Sequence, residues 1–307
     1  MSLGRVLVTG AGGLLGGYVV RELAGRADIV GLDVLPPQDH APVKAFHQAT
    51  IEDFDAVEMA IAGCSAVVHV AARPNIWSGT GHEIIQTNVT GTWNVLQAAE
   101  NAGVQRAVIT SSDSVVGYTV FEGAMIPPEY LPVDNRHPLR PTDPYALSKV
   151  LCEKTGRAFL DRGKLDVVAL RPVYVLYPEF ECEVLARAAD PDGYKGPAAG
   201  GRQPAGGGVM WHYVDPRDLA RAFRLALEAE RPDFGPYFIC GPNTLAPDPT
   251  IERLAGRMDG VRIPVKQPEV YEASPFAPLY DLAAAQNALG FAAEHDLRQV
   301  LYKDTGI

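Results

Sequence analysis

The sequence has no paired-cysteine pattern, no metal-binding spacing, no basic run and no long apolar stretch, and each absence removes a class of function. Its four cysteines, Cys64, Cys152, Cys182 and Cys240, show no C-x-x-C spacing. Each stands in an apolar neighbourhood, which predicts buried, reduced thiols. The seven histidines form no H-E-x-x-H pattern or other ligand spacing, so no metal is expected. Lys and Arg total 27 against 37 acidic residues, for a formal net charge of −10. With no cluster of Lys or Arg, neither nucleic acid nor an anionic membrane is expected as a main partner. No apolar run approaches the roughly 18 residues needed to span a bilayer. The N-terminus enters a strand-like run without the charged and apolar segments of a leader. A cytoplasmic location is the resulting expectation.

What is present is alternation. Across 307 residues, 47% of them apolar, short continuous apolar runs take turns with helical patterns. Strands are predicted at Arg5–Thr9, Asp28–Asp33, Ala66–Val70, Ala107–Ser111 and Val167–Leu170. Between them lie helical patterns at Leu14–Ala24, Asp53–Ala62, about His82 to Ala102, and from Asp143-Pro144 onward. Asp143 can cap that last helix and Pro144 suits its first position. Continuously apolar strands separated by helices predict a parallel sheet covered on both faces.

The pattern degrades at 193–208, where seven glycines and two prolines exclude a regular element. A mobile segment over the substrate and a plain surface loop are both open readings there. Helical periodicity returns at Pro216–Glu230, a short strand at Tyr237–Cys240, and helices at Thr250–Met258 and Leu282–Leu289. The expected fold class is α/β, a Rossmann-type doubly wound parallel sheet with a smaller C-terminal substrate lobe. Residues 1–171 form the dinucleotide-binding part, rejoined by 211–240, while 172–210 and 241–307 form the lobe.

Thr9-Gly10-Ala11-Gly12-Gly13-Leu14-Leu15-Gly16 joins the first strand to the first helix. Gly10 permits a tight turn, Gly13 lets backbone approach a pyrophosphate, and Gly16 lets helix pack on strand. Leu14 and Leu15 open the helix, whose free N–H groups face the phosphates. Asp33 ends the second strand, 23 positions after Gly10, where a carboxylate can accept from both ribose hydroxyls. Val34-Leu35 offers no Arg for a 2′-phosphate, so NAD is expected rather than NADP.

Tyr145-Ala146-Leu147-Ser148-Lys149 places Tyr and Lys four apart on one helix face. A free tyrosine, with a pKa near 10, is a poor base at neutral pH. A neighbouring ammonium favours its phenolate and makes proton abstraction from an alcohol feasible. The pair follows a strand ending in Ser111-Ser112, and a serine there can hydrogen-bond the reacting oxygen.

At this point the chain resembles the extended short-chain dehydrogenase/reductase family, which includes NAD-dependent sugar epimerases and dehydratases. The resemblance rests on the T-G-x-x-G-x-x-G turn, His69-Val70-Ala71-Ala72, Asn88-Val89-Thr90-Gly91-Thr92, the serine strand end, and Tyr145 with Lys149. Leu170-Arg171-Pro172 and the stretch from Tyr280-Asp281 to Leu289-Gly290-Phe291 extend it over nearly the whole chain. It implies Ser112, Tyr145 and Lys149 as catalytic residues, with Ser111 and Ser114 as near alternatives to Ser112. It also implies Ile51 against adenine, the backbone of Ala71 and Ala72 beside the cofactor, and Pro172 and Val173 at its far end. Asn88 is read as a helix-bending residue and His69 as an ordinary strand residue. The family often dimerises through two long helices, here about 82–103 and 143–161, which makes a homodimer the expectation.

The chain also departs from the family. Dehydratases carry an Asp-Glu pair after the catalytic hydroxyl, and here Asp113-Ser114 lacks the glutamate, which disfavours dehydration. Nucleotide-sugar epimerases commonly have an Asn after the L-R strand end, absent from Pro172-Val173-Tyr174-Val175-Leu176. Trp211 stands where their diphosphate-binding Arg would be, as either a platform for a sugar face or a core residue. Arg187, Lys195, Arg202 and Arg217 are the possible replacements for that Arg, and surface charge is the plainer reading of each. Asp113, Tyr174 and Trp211 join Ser112 and Tyr145 as expected substrate contacts. Two enzymatic readings stand: an epimerase of a sugar or nucleotide-sugar that keeps its NAD, and a dehydrogenase of a free sugar, sugar acid or similar small alcohol. A non-catalytic NAD sensor is the third, and the intact Ser112, Tyr145 and Lys149 weigh against it.

Overall fold

A computed structural model describes residues 3–37, 42–118, 126–191, 193–196, 210–257 and 261–303. Seven strands form one sheet: β1 (Arg5–Thr9), β2 (Asp28–Asp33), β3 (Ala45–Gln48), β4 (Ala66–His69), β5 (Arg106–Thr110), β6 (Asp166–Pro172) and β7 (Tyr237–Ile239). Their order is β3-β2-β1-β4-β5-β6-β7, and every pairing is parallel. The fold is Rossmann-like.

Side chains on a strand alternate between faces, and the sequence supplies apolar groups to both. Val6, Val8, Val68, Val108, Val168 and Leu170 pack into one cluster with helices α1 (Leu14–Leu23) and α7 (Pro216–Glu228). Leu7, Val30, Leu32, Val67, Ala107, Ile109 and Val167 pack into another. That second face is covered by α2 (Phe54–Ile61), α4 (Gly91–Asn101) and α5 (Pro144–Asp161). Full burial of each Val or Leu stabilises the fold by about 1.5–3 kcal/mol, which is why these strands read so clearly in sequence.

The short helix α3 (Gly81–Ile85) leads into a π-helical turn, Gln86–Thr90, before α4. Asn88 makes that turn useful: its amide accepts from Arg73 N at 2.7 Å and donates to Arg73 O and to Ser148 Oγ. It thereby ties the loop after β4 to α5. The helix predicted from His82 to Ala102 is thus continuous but locally unwound. Asp53 and Asp143 cap α2 and α5 through Ala56 N and Ala146 N.

Beyond β6 lie α6 (Glu181–Ala189), α8 (Thr250–Arg257), α9 (Pro268–Ala273), α10 (Ala283–Leu289) and α11 (Leu297–Leu301). A third, smaller cluster gathers Leu176, Val184, Trp211, Tyr213, Leu245 and Tyr302 there. Strand β3 is absent from the sequence reading because its side chains are half-buried and mixed in polarity. One cysteine expectation is corrected. Cys64, Cys152 and Cys240 are buried, but Cys182 is exposed, because α6 turns Glu183 and Val184 inward instead. No helix among the described residues is long and apolar enough to cross a membrane.

Candidate active site

The chain leaves β1 toward β2 and β3 on one side, then crosses to β4 on the other. The crevice at the strand ends where this order reverses is where such sheets bind ligands. Here it holds a cavity of about 890 Å³, toward the upper end of ordinary ligand pockets. Its wall runs from Leu32–Leu35 past the glycine loop to Ser112, Tyr145 and Lys149, and on to Tyr174, His212 and Tyr280.

At the glycine loop, Gly10 has φ of +75° and a Cβ there would meet the backbone of Ala71 at 2.7 Å. A Cβ on Gly16 would lie 1.8 Å from Gly10 O, so only glycine lets α1 start this close to β1. Gly13 is different, because its nearest neighbour is 3.4 Å away and its open side is cavity. Gly12 is not on the cavity wall. It is a packing glycine, whose Cβ would strike Leu35 O at 2.2 Å. Its N–H donates to Asp33 Oδ2 at 2.9 Å, while Leu35 N donates to Oδ1 at 3.2 Å. These two bonds fix the carboxylate at the mouth of the loop. Ile51, Ala71, Ala72, Pro172 and Val173 all line the same cavity, as do Leu14 and Leu15. A glycine cradle at a helix N-terminus, beside a held carboxylate that is paired with no cation among the described residues, fits a dinucleotide without a 2′-phosphate.

The two serines at the end of β5 part company. Ser111 donates to Glu153 Oε1 at 2.6 Å, and Glu153 also takes Arg171 Nε at 2.7 Å and Nη2 at 2.8 Å. That hydroxyl is committed to a buried ion pair. Ser112 instead accepts from Ser114 N, donates weakly to Asp113 Oδ1 at 3.3 Å, and hydrogen-bonds Tyr145. Of the two hydroxyls, that of Ser112 is therefore the one beside Tyr145, while that of Ser111 is taken up by Glu153. Burial raises the Tyr145 pKa, the bond with Ser112 pulls it back, and the charge of Asp113 pushes it up again. Lys149 lies with Nζ 5.7 Å from the Tyr145 ring centre and donates to Thr110 O at 2.8 Å. Burial lowers its pKa against the opposing pull of Cys152 and Glu153.

Asp113 faces the cavity with its carboxyl pushed up to about 6 by burial, a rise that its hydrogen bond from Tyr280 limits. His69, read as an ordinary strand residue, is buried and bridges Thr9 Oγ1 at 2.8 Å and Thr92 Oγ1 at 3.1 Å. Burial and the charge of Lys149 lower its pKa to about 3, so it is neutral.

One expected substrate contact does not reach the cavity. Trp211 is 1% exposed and packs in the third cluster, under the guanidinium groups of Arg187 and Arg253 at 4.0 and 5.3 Å. A backbone φ of +53° at Trp211 turns that ring inward and leaves its neighbours Met210 and His212 on the wall. Of the proposed substitutes for an arginine, Arg217 is paired with Asp215 at 2.6 Å. Neither it, Arg187 nor Lys195 lines the cavity, and Arg202 lies outside the described residues, as does most of 193–208.

Tyr118, Glu183, His212, Tyr280, Trp77 and Met210 line the cavity without having been reached from sequence. Two signals were available. Tyr118 directly follows the serine strand-end motif, and His212 adjoins Trp211 in a segment already singled out.

The model of the family described as "NAD dependent epimerase/dehydratase family" matches residues 6–240. The L-arabinose 1-dehydrogenase (NAD(P)(+)) of Haloferax volcanii is 29% identical over 239 residues, covering 75% of this chain and 85% of that protein. A putative anthocyanidin reductase of Ginkgo biloba is 27% identical over 296 residues, covering 86% and 83%. Among solved structures, a short-chain dehydrogenase/reductase superfamily protein from Agrobacterium tumefaciens with bound NAD superposes with a TM-score of 0.69. It is 24% identical, over 97% of this chain and 95% of that one, a likeness of fold.

Proposed function

The chain belongs to the NAD dependent epimerase/dehydratase family, and from that premise we propose that it is an NAD-dependent oxidoreductase acting on a secondary hydroxyl of a sugar-like substrate. The observation that carries this reading is the convergence of Ser112, Tyr145 and Lys149 on one cavity that continues to the glycine loop and Asp33. NAD, when bound, supplies the hydride acceptor. Gly13 and the start of α1 hold its pyrophosphate, Asp33 its adenosine ribose, and Ile51 its adenine. Ala71, Ala72, Pro172 and Val173 flank the rest.

Tyr145 takes the hydroxyl proton, and Ser112 donates a hydrogen bond to the same oxygen. Lys149 keeps a positive charge beside the ring, because burial alone would hold the phenol protonated. Asp113 and Tyr174 face the substrate from the wall.

Between the two enzymatic readings, the lining favours a dehydrogenase of a free sugar or similar alcohol. A diphosphate calls for charge-assisted hydrogen bonds from Arg or Lys, and Lys149 is the sole Lys or Arg on the described wall. The division into a dinucleotide part and a lobe at 172–210 and 241–307 belongs to the same proposal. So does a homodimer through α4 and α5, supported by the exposed Trp93, Leu147 and Leu151. Free cysteines at all four positions fit a reducing, cytoplasmic setting. The test is NADH formation from NAD across free sugars, uronic acids and nucleotide sugars. Stoichiometric NADH supports the dehydrogenase, whereas product without net NADH identifies the epimerase. Full turnover by Tyr145→Phe would remove the catalytic assignment.

A further inference from the structure

We infer that His212 orients the substrate by donating from Nδ1–H to a second oxygen of the sugar, on a carbon other than the one oxidised. This rests on the oxidoreductase reading above and names a specificity-determining residue for it. Leu279 N donates to His212 Nε2 at 3.1 Å. A backbone N–H can only donate, so Nε2 presents its lone pair and the neutral ring carries its hydrogen on Nδ1. Burial lowers the pKa of the ring to about 3, which keeps it uncharged. His212 lines the cavity and is 8% exposed. Its Nδ1 has no acceptor among the described residues, yet it is not sealed in the interior as the unpaired Trp211 Nε1 is. The Nδ1 hydrogen is therefore open to the cavity.

The ring is held from two sides. The Leu279 bond fixes one edge, and Tyr280 packs against it with ring centres 4.8 Å apart at 48°. Tyr280 in turn donates to Asp113 Oδ2 at 2.8 Å, and Asp113 directly follows Ser112. One phenol and one carboxyl group thus link His212 to the reactive end, so a small substrate can bridge the two. The neighbouring hydroxyls have their hydrogens committed, Tyr280 to Asp113 and Tyr118 to His137 Nε2. Beside them, the Nδ1 hydrogen is left for a ligand. A phenyl ring would fill the same space next to Leu279 and Tyr280, but it would offer no acceptor to Leu279 N and no donor to the cavity. A fixed, uncharged donor fits a hydroxyl or a ring oxygen. A substrate lacking that oxygen leaves the N–H unpaired in the complex, which is how a hydrogen-bonding site rejects a deoxy analogue.

The experiment measures kcat/KM for NADH formation with L-arabinose, D-galactose and D-galacturonic acid, each beside its monodeoxy analogues. The analogue lacking the oxidised hydroxyl is set aside. Wild type should discriminate against one other deoxy analogue of its best sugar by about 10- to 100-fold. In His212→Phe that ratio should fall to within about threefold, with KM for the parent sugar rising more than kcat falls. A glutamine amide has both an acceptor and a donor, so His212→Gln should keep part of the discrimination. A merely structural role would weaken turnover of parent and deoxy sugar alike, and such an unmoved ratio would overturn the inference. So would a wild type that accepts every deoxy analogue as readily as its parent. Should His212→Phe not fold, wild-type protein labelled with 15N-histidine decides, since His212 is the one histidine on the described wall. With NADH bound, a ring N–H signal should shift on adding the parent sugar and stay in place with the deoxy analogue; equal responses would overturn the inference. Turnover with an unmoved ratio removes this inference alone. A protein that binds NAD yet oxidises none of the sugars removes the oxidoreductase reading with it.

Discussion

Tyr280 donates its phenolic hydrogen to Asp113 Oδ2 at 2.8 Å, joining positions 167 residues apart across the mouth of the substrate end. Asp113 stands directly after Ser112, and Tyr280 closes the stack of rings on Phe238. A residue of the C-terminal segment therefore offsets part of the rise that burial imposes on the carboxyl next to Ser112. Tyr280→Phe removes a bond that holds the Asp113 pKa down, so the carboxyl should titrate above the wild-type value of about 6. Loss of one hydrogen bond to a charged group costs about 1.5–3 kcal/mol. Urea denaturation at pH 8 should show that loss, and pH-dependent infrared absorption of the carboxyl should show the shift.

Asp113 itself carries a cost. Its folded pKa of about 6 exceeds the ordinary 3.8, so the fold favours the neutral acid. The penalty is absent below the unfolded value, grows as pH rises between the two, and is complete above about 6. With partial solvent contact at the cavity wall discounted, it amounts to about 1–2 kcal/mol. Asp113→Asn should therefore raise the melting temperature more at pH 8 than at pH 5. An equal effect at both would show that the carboxyl is not titrating in this window. Removing the charge also lowers the Tyr145 pKa, so the alkaline rise in turnover should move to lower pH.

Much of this architecture is legible in sequence, for identifiable reasons. Val6 to Val8 and Val67-Val68 are buried on both sheet faces, so their apolar runs are unbroken. Gly10, Gly16 and Asp33 answer to local geometry within one β-α-β unit. Tyr145 and Lys149 share a helix face. What was not legible depends on distant partners. Asp113 meets Tyr280, His212 meets Leu279, and Glu183 reaches the wall through a helix that sequence periodicity did not reveal. Trp211 was misplaced because a positive φ decides which of three adjacent side chains faces the cavity. The π turn at Gln86–Thr90 leaves no periodic signal, although Asn88, read as a helix-bending residue, lies within it and bonds Arg73 and Ser148.

The adjacent serines should separate cleanly. Ser112→Ala removes a donor to the reacting oxygen and should lower kcat by about 10²–10³-fold, while loss of the bond from Ser114 N should cost about 0.5–2 kcal/mol of stability. Ser111→Ala leaves Glu153 with Arg171 but strips one bond from a buried carboxylate, which costs about 1–3 kcal/mol, while kcat falls far less. Glu153→Gln leaves Arg171 buried without its counter-charge and should destabilise by about 3–5 kcal/mol. Guanidinium denaturation and NADH kinetics on the same three proteins check all of this. A larger kcat loss in Ser111→Ala than in Ser112→Ala would reverse the assignment.

The preference for NAD should lie in Asp33 and the uncharged Val34-Leu35 beside it. Asp33→Ser with Leu35→Arg exchanges a repelling carboxylate for a guanidinium suited to a 2′-phosphate. The ratio of kcat/KM for NADP over NAD should rise by at least about 100-fold. Asp33→Ser also frees the Gly12 N–H that the carboxylate holds at 2.9 Å, so some loss of NAD affinity accompanies the switch.

Gly13 and Gly16 lie three residues apart, and a methyl group on each should fail for a different reason. At Gly16 the added Cβ would stand 1.8 Å from Gly10 O, a backbone atom that cannot move without displacing β1 or α1. Gly16→Ala should therefore lower stability by several kcal/mol, in the range of core overpacking, whether or not cofactor is present. At Gly13 the nearest atom is 3.4 Å away, an ordinary contact, so the cofactor-free Gly13→Ala protein should melt within about 0.5 kcal/mol of wild type. Its methyl group instead occupies the cavity wall where a pyrophosphate approaches backbone. Adding NAD should raise the wild-type melting temperature with the logarithm of ligand concentration and leave Gly13→Ala nearly unmoved. Equal NAD-induced shifts in wild type and Gly13→Ala would place the pyrophosphate elsewhere, and the cofactor assignment of the glycine loop would fall with it.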